Sequence, residues 1–295
     1  SFSFCEKLVM NKQYLLMAVV PALIGLSGCT VVSSISGGSA SDGSAIAQES
    51  TTADVRSPNT AAFASVLSRY VDDEGLVDYA ALQGDRQELD AYNASIALID
   101  TATYESWSEE EQIALLINAY NSLTLKSIID ESPIKDSIKD ITGVWRFKQH
   151  RIMQDEQTLN NIEHDILRAD FNEPRIHAAL VCAALSCPYL RQEPFTGDNL
   201  DAQLDDQVRV FLNRSEAFEI DRENNEVRLS AIFDWFGQDW VPSFAPTEGF
   251  AGNNNEKAVL NFISGYLDEA DSEYLKAGGY RVRYSDYDWS LNTQN

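Results

Sequence analysis

Apolar residues recur at helical spacing through most of the chain beyond residue 60. Segments 61–71 (AAFASVLSRYV) and 85–99 (DRQELDAYNASIALI) both read as helices. The strongest pattern is SEEEQIALLINAYNSLTLKSIID, 108–130. Ser108 is placed to cap it, acids crowd its first turn, and Ile113, Leu116, Ile117, Tyr120, Thr124 and Ile128 form one stripe. TLNNIEHDILR, 158–168, is a shorter helix capped by Thr158. In 198–214, Leu200, Leu204, Val208 and Phe211 align along a further amphipathic helix.

The pattern changes at RIHAALVCA, 175–183. Here both alternating faces are apolar, which predicts a central strand covered on two sides. FEIDRENNEVRLS, 218–230, reads as a hairpin around Asn224–Asn225. A helix near 255–268 and a short strand, YRVRY, close the pattern. The expected fold is α+β: a single helix-rich domain, 61–295, around a small sheet with a buried central strand.

The first 60 residues follow a different logic. From Met10 a short Lys12-bearing region leads into an apolar stretch, Tyr14 to Leu26, too short to span a bilayer. It ends in Leu26-Ser27-Gly28-Cys29, which resembles a bacterial lipobox. Residues 1–28 are therefore read as an upstream extension plus signal peptide, with translation starting at Met10. That resemblance implies cleavage before Cys29 and acylation of its thiol, and several acyl chains anchor a protein stably. Thr30, in place of the aspartate that retains lipoproteins at the inner membrane, points to the outer membrane, facing the periplasm or the cell surface. Residues 29–60 join the lipidated cysteine to the domain through a Ser/Gly/Ala-rich tether reaching on the order of 30 Å.

The net charge of −24, from 46 acidic and 22 basic side chains, repels phosphate backbones and disfavours a nucleic-acid partner. Hydrophobic residues make up 44% of the chain, enough for a substantial packed core. With Cys29 lipidated and Cys5 outside the mature chain, Cys182 and Cys187 remain, in a compartment that oxidises exposed thiol pairs.

Five motifs occur in order: NAYN on a helix, LNNIEHDILR, PRIHAALVCAALSCP, LDAQLDDQVRVFL and the closing YDWSLN. Together they resemble the domain of unknown function (DUF) 547 family over about 61–292. The family name implies no mechanism. Ala183 stands where the family commonly has glycine, which weakens the case for a sharp backbone turn there.

The candidate chemistry gathers around these motifs. Glu163 falls inside the apolar stripe of Leu159, Ile162 and Ile166, so it needs a partner, Arg168 or Arg175, or a raised pKa. It reads as an ion-pair member, a general base or the orienter of a histidine; His164 flanks the same stripe. Asn118 and Asn121 either hold loop backbone or act as oxyanion donors. His150, in a polar stretch, is expected to be exposed.

His177 lies on the expected strand, with Cys182 on its opposite face. Cys187, before Pro188, is placed as the cap of a short helix and so as the more reactive thiol, with Cys182 in the core. A fully extended link would separate the two Cα atoms by about 16 Å, beyond disulfide reach, whereas a tight turn would bring them together. A zinc site is weaker, since no CxxC is present, and no cofactor motif appears.

Two functions remain open. One is a cofactor-free hydrolase or acyl transferase using Cys187 or Cys182, His177, Glu163, and Asn118 or Asn121. The other is a non-catalytic binding or scaffold lipoprotein whose partner is an envelope protein or a glycan.

Overall fold

The helix Glu109–Ile129 forms where its ends are best specified. Ser108 accepts from the Glu111 backbone N–H while the Glu111 carboxylate accepts from that of Ser108. This reciprocal box satisfies two otherwise orphaned donors, and three acids in the first turn suit the helix dipole. The computed structural model describes residues 57–294. The expected leader, Cys29 and the expected tether as far as residue 56 lie outside them.

Almost every position from Ile113 to Ile129 on this helix is buried, polar ones included. It is a core helix covered on all sides, where the sequence suggested a single stripe. Thr60–Tyr70, capped by Asn59, and Gln87–Leu98 pack beside it, with Phe63 stacked on Tyr92 at 4.6 Å between ring centroids. A small hairpin, β1 (His150–Ile152) and β2 (Asp155–Gln157), lies against Gln87–Leu98.

A second apolar cluster gathers around a three-stranded sheet, β3 (Phe218–Asp221), β4 (Glu226–Leu229) and β5 (Arg281–Tyr284). β3 and β4 form the expected antiparallel hairpin, with Asn225 at a φ of 51° in its turn. β5 pairs parallel to β4, Val227 opposite Val282. Helices Leu200–Leu212, Ala231–Phe236 and Asn254–Ser264 contribute Phe211, Phe233, Val259 and Ile263 to this cluster. The helix-rich α+β fold expected from the sequence is the one observed. Among the described residues no helix is long and apolar enough to cross a membrane.

The expected central strand is not one. Pro174–Ala178 forms a 3₁₀ turn, started by Pro174 and capped by the Glu173 carboxylate, which accepts from the Arg175 N–H. From Ala179 to Cys182 the chain runs through the core outside any strand, and only at Ala184 does it make an isolated antiparallel bridge, to Leu291. Asn121 takes the place of a strand partner: its side-chain amide donates to Ala179 O at 3.0 Å and accepts from Val181 N–H at 2.9 Å. Burial on both faces was read correctly. What the apolar run could not reveal is that a helical asparagine supplies the hydrogen bonds.

His150 is the other misplacement. β1 alternates buried, exposed, buried, which turns His150 and Ile152 inward and Arg151 outward. Burial, with Lys148 and Lys126 nearby, lowers the His150 pKa to about 4, so the ring is neutral at pH 7.

Candidate functional site

A cleft of about 250 Å³ opens where the two apolar clusters meet. Three stretches build its polar side: the middle of the helix Glu109–Ile129, carrying Tyr120, the turn carrying Glu163 and His164, and the segment His177–Cys187. Trp145, Trp235, Tyr287 and Trp289 build an aromatic wall. Tyr287 packs on Trp289 at 4.6 Å and Trp235 stacks on Trp289 at 5.8 Å.

Glu163 reaches the cleft because its helix is wide. Asn161–Leu167 closes with a bond from Arg168 N–H to Glu163 O, a π-type turn, and such turns recur at functional sites. Thr158 caps it, its hydroxyl accepting from Asn161 N–H at 3.1 Å. Glu163 is indeed partly buried. Burial raises its carboxyl to about 7, against the opposing Tyr120 hydrogen bond and the Arg168 charge. Arg175, the other expected partner, is occupied by Glu173, Asp201 and Asp205.

A chain of charge and aromatic contacts runs behind the cleft. His177, buried, donates from Nε2 to Asp239 Oδ2 at 2.8 Å and stacks on Phe236 at 4.3 Å. Arg168 grips the same Asp239 with both arms of its fork, at 2.6 and 2.9 Å. Against the opposing effect of burial, the His177 hydrogen bond and then the Arg168 pairing hold Asp239 ionised, its pKa lowered to about 2. Burial is the main cause that lowers His177, and the ring stays neutral with Nδ1 as its open acceptor. Arg168 also donates to His164 Nδ1 at 2.8 Å; burial and that charge lower His164 to about 4. Asp239 was missed in the sequence because GQDW has no periodicity to mark it. Its only signal was an acid among aromatics.

The cysteines are joined as a disulfide, with their Cα atoms 6.2 Å apart. Ala183, at a φ of 60°, turns the chain sharply between them, so alanine here bears the left-handed backbone that glycine adopts more easily. Exposure is the reverse of expectation: Cys187 is 2% exposed, while Cys182 is only partly buried. The prediction failed because strand alternation and a helix cap were both assumed. The chain has neither here; Pro188 is followed by irregular backbone. For the same reason His177 and Cys182, placed on opposite faces in the strand picture, line one cleft.

Cys187 Sγ accepts from Cys182 N–H at 2.9 Å and from the Tyr287 hydroxyl at 3.1 Å; that hydroxyl lies 3.3 Å from Cys182 Sγ. Arg214 holds the turn from behind through the Cys187 and Leu185 carbonyls.

Asn118 and Asn121 do not line the cleft. Asn118 donates to Phe195 O at 2.7 Å and accepts from Phe195 N–H at 2.9 Å, in the manner of Asn121 on Ala179 and Val181. Both amides clamp backbone. Among the described residues no group of three His, Cys, Asp or Glu side chains is arranged to hold a metal ion.

Residues 104–212 match the family model described as "Protein of unknown function, DUF547". The match supports the resemblance read from the motifs, over less than half of the chain. No curated protein and no solved structure matches. The DUF547 segment supplies Tyr120, Glu163, His164, His177 and both cysteines. Asp239 and the aromatic residues Trp235, Tyr287 and Trp289 come from beyond it.

Proposed function

We propose that the cleft is the active site of a cysteine- and histidine-dependent hydrolase or acyl transferase, and that the disulfide is its oxidised resting form. The observation carrying this is His177, held from behind by Asp239, lining the same cavity as both cysteines. A carboxylate on one ring nitrogen fixes the tautomer and leaves the other as a base, the logic of nucleophilic triads. After reduction, Cys187 gives its proton to His177 Nδ1 and the thiolate attacks the acyl carbon. The leaving group takes the proton back, and water or a second acceptor then releases the acyl group. Asn118 and Asn121 act by positioning backbone, and Asp239 by positioning His177. Glu163 and His164 flank the acyl site.

The protein acts in the cell envelope, held to the outer membrane by acylated Cys29. The lipobox and the Ser/Gly/Ala tether in the sequence support this. Labelled palmitate should enter the wild type in a bacterial host and not Cys29→Ala; an unlabelled wild type contradicts the anchor.

Turnover of p-nitrophenyl esters tests the chemistry. Reduced protein should hydrolyse them with a rate that drops about 100-fold or more in His177→Ala. Equal rates in both proteins contradict it.

The aromatic wall favours a second reading, a non-catalytic glycan-binding cleft. Trp235, 43% exposed, and Trp289 present stacked faces suited to sugar rings. Saturable quenching of tryptophan fluorescence by envelope glycans, in a protein that turns over no ester, would select this reading.

A further inference from the structure

We propose that the Cys182–Cys187 pair is a thiol–disulfide exchange centre, whose substrates are thiols small or extended enough to enter the cleft. This activity does not depend on acyl transfer. A disulfide that served only to staple the chain would gain nothing from facing a cavity. This one lines the cleft, joins a partly exposed cysteine to a buried one, and surrounds the sulfur of the buried one with donors.

The asymmetry assigns the roles. Attack falls on the more exposed cysteine, Cys182, so Cys187 is the leaving group. A leaving thiolate departs faster when its charge is stabilised, and Cys187 Sγ already accepts from the Cys182 N–H and the Tyr287 hydroxyl. The entering thiol gives its proton to Glu163, whose carboxyl opens on the same cavity. Its thiolate bonds to Cys182 Sγ, the Cys182–Cys187 bond breaks, and the electron pair goes to Cys187. Protonated Glu163 then returns the proton to Cys187. A second thiol attacks the substrate sulfur of the mixed disulfide, releasing Cys182, which takes that thiol's proton. The protein disulfide and two thiols become a dithiol and one substrate disulfide.

Glu163 suits this shuttle because its carboxyl titrates near neutrality, at about 7. The groups facing it are the Tyr120 and Tyr287 hydroxyls, Arg168 and Asp239, with neutral His164 and His177 and with Arg146 also on the cleft. None of the histidines gains charge above pH 6.5, so a rate step near pH 7 belongs to Glu163.

Glutathione is the probe. Reduced glutathione is added to the oxidised, folded protein, the reaction is quenched in acid, and adducts are located by mass spectrometry. A transient adduct on Cys182 is expected. Cys187→Ser given oxidised glutathione should hold a stable adduct on Cys182, while Cys182→Ser reacts at Cys187 about tenfold more slowly. Tyr287→Phe should slow reduction of the disulfide by about tenfold. Glu163→Gln should abolish the rate step near pH 7, which keeps the test decisive if Tyr287→Phe fails to fold. An adduct placed first on Cys187, or a folded protein that reacts only once denatured, overturns the proposal. So does an unchanged pH profile in Glu163→Gln. Ester turnover does not enter any of these readouts, so a failure of the acyl-transfer reading leaves them intact.

Discussion

Two helices that meet at the cleft handle buried polar groups in opposite ways. Glu109–Ile129 is regular and buried throughout, and its Asn118 and Asn121 spend both ends of each amide on backbone. Asn161–Leu167 is widened to a π turn, and its Glu163 and His164 face a cavity with their pKa values pushed toward each other's usual range. The first arrangement fixes the neighbouring stretch Ala179–Val181, which lies in no strand. The second keeps groups poised to change protonation. Satisfied polar groups build the frame, and perturbed ones mark where chemistry is expected.

Breaking the frame should cost most. Asn121→Ala leaves Ala179 O and Val181 N–H buried without partners, and should lower stability by about 3 kcal/mol in urea melts. A loss under about 1 kcal/mol would mean that the segment holds itself.

Glu163 should behave in the reverse sense. Its folded pKa lies above its unfolded value, so the folded state binds more protons between about pH 4.5 and 7, and stability falls as pH rises through that window. Glu163→Gln, which cannot ionise, should be stabilised relative to wild type by about 3 kcal/mol more at pH 8 than at pH 4.5. A pH-independent difference between the two melts would remove the contrast between the helices.

His150 gives the opposite slope. Its folded pKa is depressed to about 4, so its contribution is complete above pH 6.5 and is lost as pH falls toward 4. His150→Gln should flatten that acid loss by about 1–2 kcal/mol. Parallel denaturation curves at pH 7 and pH 4.5 for wild type and variant check it.

The smallest effect belongs to the helix start. Ser108→Ala opens the capping box and should cost about 1 kcal/mol, without altering the pH dependence of the melts.

The helices were legible because periodicity and caps are local. Ser108, Thr158 and the Leu200–Phe211 stripe all fall where the sequence placed them. Glu163 was legible too, as a carboxylate in an apolar stripe. The stretch 174–188 was not, because an apolar run is the same whether its hydrogen bonds come from neighbouring strands or from Asn121. Cys182 and Cys187 exchanged their expected exposures once strand alternation was lost. Asp239 lies 62 residues beyond His177 and joins it only through the fold. Of the aromatic wall only Trp145 lies within the DUF547 segment; Trp235, Tyr287 and Trp289 come from beyond it in sequence.

The central claim is that the cleft becomes a nucleophilic site when the disulfide opens. It is tested most directly by treating native protein, oxidised and reduced, with p-nitrophenyl acetate and locating the acetyl group by mass spectrometry. The reduced protein should carry it on Cys187, the oxidised protein should not, and His177→Ala should acquire it about 100-fold more slowly. Acetyl groups confined to lysines at equal rates in all three proteins would contradict the claim.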